Sequence, residues 1–388
     1  MSAGTLPSPI PGVYRQEVFP KPAPVLPTGV PLFVGFLAAG PAMATLLSPQ
    51  RLTHWPQFIE KVDKIHRRPS LDAAVHGFFA NGGELCYVVM VYITAAGVEV
   101  ALQSALETAE DVAEIDLVCV PDLWAVAETP EAAQRSQQLI LEHCDRTNDR
   151  FALLDTPLVT NPTQIDSLRP SSRLQGSNGA LYGPWLKSQQ SNDWVPPCGH
   201  VAGMIAQCDR AIGVHRAPAN LVLEDALDLS VGISDADQHQ LNPAEQPAGV
   251  NCLRSLTGRG IRVWGARTLS AHPLGCYVSG RRLLITVCRW AALTLADVAF
   301  EPNDIALWIR IEREFALYLE SLARQGALQG QTASEAFFVK CDAETNPPAE
   351  RDLGRVVTLV GLAPAVPGEF IVVRLIHGDR GVTLTSVS

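Results

Sequence analysis

Cys198, His200, Cys208 and His215 bring two thiols and two imidazoles into one short stretch. Those are the ligand types zinc prefers, but their spacing fits no standard zinc module, and no metal site is expected from them. SDAD (234–237) sets two carboxylates close together, as general acid–base chemistry would require. A serine or aspartate ahead of A-x-x-H reads equally well as a helix cap with solvated acids. GRGIRVWG (258–265) has two glycines at G-x-G spacing and lacks the third that a dinucleotide loop needs, so it reads as a hairpin turn. GxxxxGK[ST], GxSxG and HExxH are all missing. His54, His76 and His143 stand isolated and are expected at the surface or satisfied in a core. The sequence therefore offers no catalytic residue, metal set or cofactor loop, and an enzyme is not expected.

The chain has 388 residues, 47% hydrophobic and 18% charged, enough for about two or three cores of ordinary globular composition. A net charge of −10 and a pI near 5.4 exclude a general nucleic-acid binder, which needs a basic field to hold phosphates; protein partners are expected instead. Nine cysteines, an odd number with no C-x-x-C pair, suit a reducing compartment, and Cys86 and Cys119 sit inside apolar runs. The N-terminal MSAGTLPSPIPG lacks a basic region followed by an apolar core. Runs such as CYVVMVYI are too short to span a bilayer. A soluble product that stays where it is made, without membrane insertion, is the expectation.

Behind these residues lies an alternation of periods. PLFVGFLAAG (31–40) reads as a buried strand, SLDAAVHGFFANGG (70–83) as a helix capped by Ser70, and LCYVVMVYI (85–93) as a strand apolar on both faces. Helix 97–112, strand 115–122, helix 130–144 and strand 150–157 follow, the pattern of an α/β layer around a largely parallel sheet. From about 158 to 200 turn-rich sequence predicts a domain edge or protrusion. After a helix at GHVAGMIAQCDRA, a polar, proline-bearing passage ends near residue 250. The last third offers two short strands around Gly258 and Gly260, then an apolar helix (277–298) interrupted by Gly280. Next comes an amphipathic helix (304–325) with Trp308, Ile311, Phe315, Leu319 and Leu322 on one stripe, Asn303 or Asp304 as cap, and Gly326 as stop. The strands AFFVKC, RVVTLVGLAP and EFIVVRLI close the chain.

One segment has no local partner. PGVYRQEVFP (11–20) alternates like a strand, but eight of the 29 prolines fall in the first 31 residues, so no neighbouring strand is available to it. Its unpaired N–H and C=O groups must find a sheet elsewhere.

Ordered blocks along nearly the whole chain carry a resemblance. They include PGVY (11–14), TGVPLFVG (28–35), FFANGG with CYVVMV (78–91), GRGIRVWGARTL (258–269), RRLLITV (281–287), FEPND (300–304), GALQG (326–330) and GRVVTLVGLAP (354–364). Together they resemble contractile-tail sheath proteins, and the opening PGVYRQEVFPKPAPVLPTGVPLFVGF is most similar to sheaths of extracellular contractile injection systems and short phage-tail-like particles. The resemblance implies an α/β fold: an outer α/β domain (31–250), an α+β inner domain next to a tube (251–369), and extended β-arms at 1–30 and 370–388. It implies a structural subunit, without cofactor, that polymerises around an inner tube in stacked six-fold rings and contracts to drive the tube through a target envelope. The energy would come from burying surface in a kinetically trapped lattice. Partners would be further copies of the chain, the tube protein, and baseplate and cap proteins, in a particle made in the bacterial cytoplasm and then released or membrane-anchored. A minor or non-contractile paralogue at the baseplate or distal end would share these blocks.

Two sets of residues follow from that resemblance. Val13, Tyr14, Arg15, Gln16, Glu17 and Val18 are the expected exchanged strand, with Phe370, Ile371, Val372, Val373, Arg374 and Leu375 as its counterpart on another subunit. Arg310, Arg313, Glu314, Glu320 and Arg324, on the polar side of helix 304–325, are the expected face toward the tube, a solvated face being the alternative.

Overall fold

The computed structural model describes residues 26–37, 48–62, 67–243, 249–270, 272, 275–296, 298, 301–365, 371–378 and 381–386. The expected arm strand 13–18 and Phe370 lie outside the described residues. Fifteen strands are described: β1 (Pro31–Phe36), β2 (Gln50–Leu52), β3 (Cys86–Val91), β4 (Leu117–Cys119), β5 (Phe151–Asp155), β6 (Gly179–Gly183), β7 (Leu186–Lys187), β8 (Trp194–Val195), β9 (Asp228–Leu229), β10 (Val250–Leu256), β11 (Gly260–Trp264), β12 (Phe337–Lys340), β13 (Val356–Leu362), β14 (Ile371–Gly378) and β15 (Gly381–Ser386). The main helices are α1 (Trp55–Lys61), α2 (Pro69–Ala80), α3 (Val98–Thr108), α4 (Leu123–Val126), α5 (Pro130–Thr147), α6 (Cys198–Ala211), α7 (Asp235–Leu241), α8 (Val278–Thr294) and α9 (Ile305–Arg324).

An eight-stranded sheet in the order β11-β10-β6-β5-β4-β1-β3-β2 forms the first unit. It is parallel from β3 across to β10, with antiparallel strands at both edges. Successive side chains of its inner strands point to opposite faces, and both faces are covered, as continuous apolar runs require. Phe33, Val88, Met90 and Leu153 pack toward α2 and α6, whereas Leu32, Val34, Val89 and Leu154 pack toward α3 and α5. β7, β8 and β9 form a small separate sheet.

The second unit has its own core. α8 and α9 lie on the antiparallel sheet β12-β13-β14-β15, with Leu283, Val287, Trp308, Ile311, Phe315, Leu319, Val360, Val373 and Leu375 buried together. The expected α9 stripe is the buried one, and Asp304 caps the helix through the N–H groups of Ala306 and Leu307. Ser234 caps α7 in a capping box with Asp237, as the helix-cap alternative for SDAD anticipates.

Several expectations change. The turn-rich stretch 158–200 contributes β6, an inner strand between β5 and β10. Its flanking glycines hid it: a Cβ at Gly179 would overlap Leu141, and one at Gly183 would overlap Thr156, so small residues are what close packing demands. The hairpin β10–β11, expected to open the inner domain at 251, extends the first sheet, because β10 pairs in parallel with β6. The break in packing falls nearer α8, which runs through Gly280 without interruption. Ser70 lies inside the first turn of α2, whose N-cap is Arg68 ahead of Pro69.

Candidate functional site

The described chain begins at a clamp. Asp116, at the end of the loop before β4, accepts hydrogen bonds from the backbone N–H of Gly29 (3.0 Å) and of Val30 (2.6 Å). Gly29 has φ +69° and lies so close to α6 that a Cβ would come 2.5 Å from the Cα of Ala206; only glycine fits both demands. Arg289 of α8 donates to the carbonyl of Pro27 (2.9 Å) and to those of Ala113 and Glu114 (2.9 and 3.0 Å). One turn pair earlier on the same helix, Arg282 donates bidentately to Asp209 of α6 (2.7 and 2.6 Å) and to Asp116 (3.0 Å).

Two carboxylates and two guanidiniums thus form a buried network of zero net charge, each side chain at most 3% exposed. Burial works against the charge of Arg282, but Asp209 and Asp116 outweigh it and hold the guanidinium charged well above its ordinary range. The network joins three parts of the chain: the backbone just after the proline-rich N-terminal stretch, the α/β unit through Asp116 and Asp209, and the second unit through α8. Tension applied upstream of Pro27 would pass through these hydrogen bonds into α8.

Other polar constellations are closed in on themselves. Asp122 and Asp155 stand beyond β4 and at the end of β5, on the side where open α/β sheets bind ligands. Both are buried; Asp122 accepts from the N–H of Phe36 (3.2 Å) and Asp155 from that of Cys198 (2.9 Å), and burial pushes each carboxyl up to about 7. Asp225 gathers His76 (3.0 Å), His200 (3.4 Å) and the hydroxyl of Ser188 (2.7 Å). Burial would raise its carboxyl, yet bonds from His200, His76 and Ser188 hold it well below the usual carboxylate range. Because the serine donates to the carboxylate and not to a histidine, nothing here activates a nucleophile. Among the described residues no group of histidines, cysteines and acids is arranged to hold a metal ion.

A model of the phage tail sheath protein central domain matches residues 95–269. The tail sheath protein of Vibrio phage KVP40 is 23% identical over 216 residues, 55% of this chain and 31% of that protein, so the match spans about a third of that relative's length. A solved chain of the anti-feeding prophage (AFP) baseplate superposes with a TM-score of 0.74 at 29% identity, over 94% of this chain and 98% of that one. The sheath complex of an extracellular contractile injection system, PVC, in its contracted state gives 0.71 at 27% identity, over 95% and 97%. Along nearly its whole length the chain is similar to subunits of contractile sheath and baseplate assemblies. The matched central domain ends at 269, past β11 and before α8, in keeping with a first unit that includes the hairpin.

The residues expected to matter in a sheath protein are distributed unevenly. Ile371, Val372, Val373, Arg374 and Leu375 form β14, which is no free arm: it pairs with β13 on one side and β15 on the other, both in the same chain. Gly378 pairs with Gly381 at the end of the β14–β15 ladder. Val373 and Leu375 point into the core, and Arg374 reaches Glu350 at 3.2 Å. On α9, Arg310 pairs with Glu301 and lies 3.7 Å from Glu314, all three about one-third exposed, while Arg324 pairs with Glu320 at 3.0 Å. Arg313 is exposed, in a row with Ile305, Ile309 and Leu317 at i, i+4 spacing, each of those three more than half exposed. The outward face of α9 is therefore more apolar than the sequence pattern suggested.

Sequence reasoning missed the clamp. A signal existed: Asp116 opens the apolar run IDLVCV, and Arg282 and Arg289 interrupt RRLLITVCRW, positions where a charge must be paired to be buried.

Proposed function

We propose that this chain is a contractile-sheath subunit that polymerises helically around an inner tube and contracts to drive that tube through a target envelope, with neighbouring subunits tied by strand exchange through residues 13–18. The observation that carries the proposal is likeness over nearly the whole chain to a subunit of a contracted sheath complex, both units included. The clamp adds physical support, since an arm that ties subunits needs a root that does not slip. Further partners on this reading are baseplate and cap proteins, and the particle acts as a machine without enzymatic chemistry. No helix among the described residues is long and apolar enough to cross a membrane.

The strand exchange takes a definite form on this fold. Both edges of β14 are occupied in the single chain, so a neighbour's 13–18 either adds to the outer edge of β15 or takes the place of β15 beside β14. A joint of about four hydrogen bonds at a net of about 0.5–1.5 kcal/mol each is weak alone, and repetition through a lattice makes it a mesh. The tube-facing surface on this reading is the outward row of α9 with Arg313 as its exposed cation.

A second reading, a minor sheath subunit at the baseplate, draws on the likeness to a chain of the AFP baseplate assembly. Electron microscopy of the protein co-expressed with its tube separates the two: long striated sheaths are expected, and short collars confined to one end would favour the minor subunit. Deletion of residues 1–20 is expected to abolish long sheaths while leaving a folded monomer. Long sheaths from the truncated chain would overturn the tie.

A further inference from the structure

A cleft of about 720 Å³ opens between the two units, beside the clamp. One lip is Leu26 and Pro27, where the described chain begins. The far wall is Trp290 of α8 and Tyr318 of α9, whose rings stack 4.2 Å apart and almost parallel. Ser321 and Gln325 place a hydroxyl and an amide along its rim.

We propose that this cleft is the seat of the chain's own segment Phe19–Pro24, FPKPAP, so that the N-terminal arm is steered out between the two units. The proposal concerns residues 19–24 and stands whether or not 13–18 exchange between subunits. Continuity is the first argument. Arg289 fixes the carbonyl of Pro27 at the lip, and a proline-rich strand rising about 3.1 Å per residue reaches no farther than about 20 Å from Leu26 back to Pro20. The segment therefore starts at the cleft and is long enough to lie along it.

Composition is the second. Pro20, Pro22 and Pro24 have no N–H, so the segment can lie against apolar walls with few donors left unpaired, and the cleft offers the hydroxyl of Ser321 and the amide of Gln325 as donors to its carbonyls. Proline-rich segments dock on aromatic-lined grooves because their extended form loses little entropy on ordering. Periodicity is the third. At three residues per turn, Pro27, Pro24 and Lys21 make one row and Leu26, Ala23 and Pro20 the next, and both rows start from residues already lining the cleft.

The test is zero-length carbodiimide cross-linking of the full-length protein, prepared as a mixture of ¹⁴N- and ¹⁵N-labelled chains and read by mass spectrometry. Lys21 should join Glu84, a rim residue whose side chain is 71% exposed, within chains of a single label. The exposed Lys340–Glu344 pair reports that the reagent has worked. Absence of the Lys21–Glu84 link while the control forms overturns the proposal, and so does a link found only between differently labelled chains, which would place a second copy's segment in the cleft. Replacing Pro20, Pro22 and Pro24 together by glycine leaves the clamp intact; amide exchange at residues 321–325 should then speed up by about fivefold. Unchanged exchange would equally overturn it.

Discussion

Replacing Arg282 by methionine tests the clamp most directly. Arg282 supplies three charge-assisted hydrogen bonds, two to Asp209 at 2.7 and 2.6 Å and one to Asp116 at 3.0 Å, all out of reach of water. Methionine fills much of the volume of the arginine stem but leaves two buried carboxylates, with Arg289 at 3.9 Å from Asp116 as their remaining cation. Breaking a buried pair by removing one partner costs about 3–5 kcal/mol, most of it the uncompensated charge left behind. The comparison is Arg324→Met: its pair with Glu320 is 70% and 47% exposed, and such pairs contribute about 0–1 kcal/mol. In urea unfolding followed by circular dichroism, Arg282→Met should lose several times more stability than Arg324→Met. The triple variant Asp116→Asn, Asp209→Asn, Arg282→Met should recover a substantial part of the loss, because no charge is then stranded. If Arg282→Met costs no more than Arg324→Met, the network does not hold the arm root as argued.

Gly29→Ala should destabilise by about 1–3 kcal/mol, since it combines positive φ with a Cβ 2.5 Å from Ala206; thermal unfolding checks this, and a shift below 1 °C would contradict the close approach. Asp155 keeps its proton in the fold up to about 7 against an ordinary 3.8, so the native chain loses stability as pH rises through that window. Asp155→Asn should therefore match the native chain near pH 4 and exceed it by at most roughly 4 kcal/mol at pH 8. His143 and His377, lowered by burial to about 4 from 6.5, act in the opposite sense and lose stability as pH falls from 6.5 to 4, so the variant should show a steeper acid limb than the native chain in unfolding titrations. For the tube-facing proposal, Arg313→Glu should weaken co-sedimentation with the tube at least tenfold, and Arg310→Glu should act chiefly on stability through Glu301 and Glu314; equal tube binding by native and Arg313→Glu chains would remove that surface.

What could be read from the sequence depended on whether a period or a pairing carried the information. The α9 stripe was legible because five apolar residues at helical spacing leave little choice of face, and the alternation of strands and helices up to β5 announced the parallel sheet. β6 was not legible: GALYG is short and flanked by glycine, and its small residues are explained by Leu141 and Thr156, neighbours that a linear pattern does not display. The clamp was invisible for a related reason, as Asp116 and Arg282 are 166 positions apart and their pairing is a property of the fold. On α9 the polar side was foreseen, but the apolar exposure was not: Glu301 from the preceding loop pairs with Arg310, leaving Ile305, Ile309 and Leu317 as the residues that stand out.

The placement of both arginines on α8 gives the clamp its consequence. Arg282 and Arg289 are seven residues, about two turns, apart and so share a face, which is turned to Asp116, Asp209 and the carbonyl of Pro27. Leu283, Leu284, Val287 and Ala291 enter the core of the second unit, while Val278 and Ile285 enter that of the first. A single helix therefore belongs to both cores and to the arm root. Rotation or translation of α8 would break polar bonds and apolar packing together, so the two units and the start of the arm should move as one body under load. On the proposed reading, a sheath built from such subunits would have to change shape at the joints between subunits, with the clamp unchanged. Cross-linking Asp116 to a lysine placed at Arg289 should then leave contraction intact, whereas fixing the β14–β15 hairpin should stop assembly where the neighbour's strand replaces β15 and leave it intact where that strand adds to the outer edge of β15.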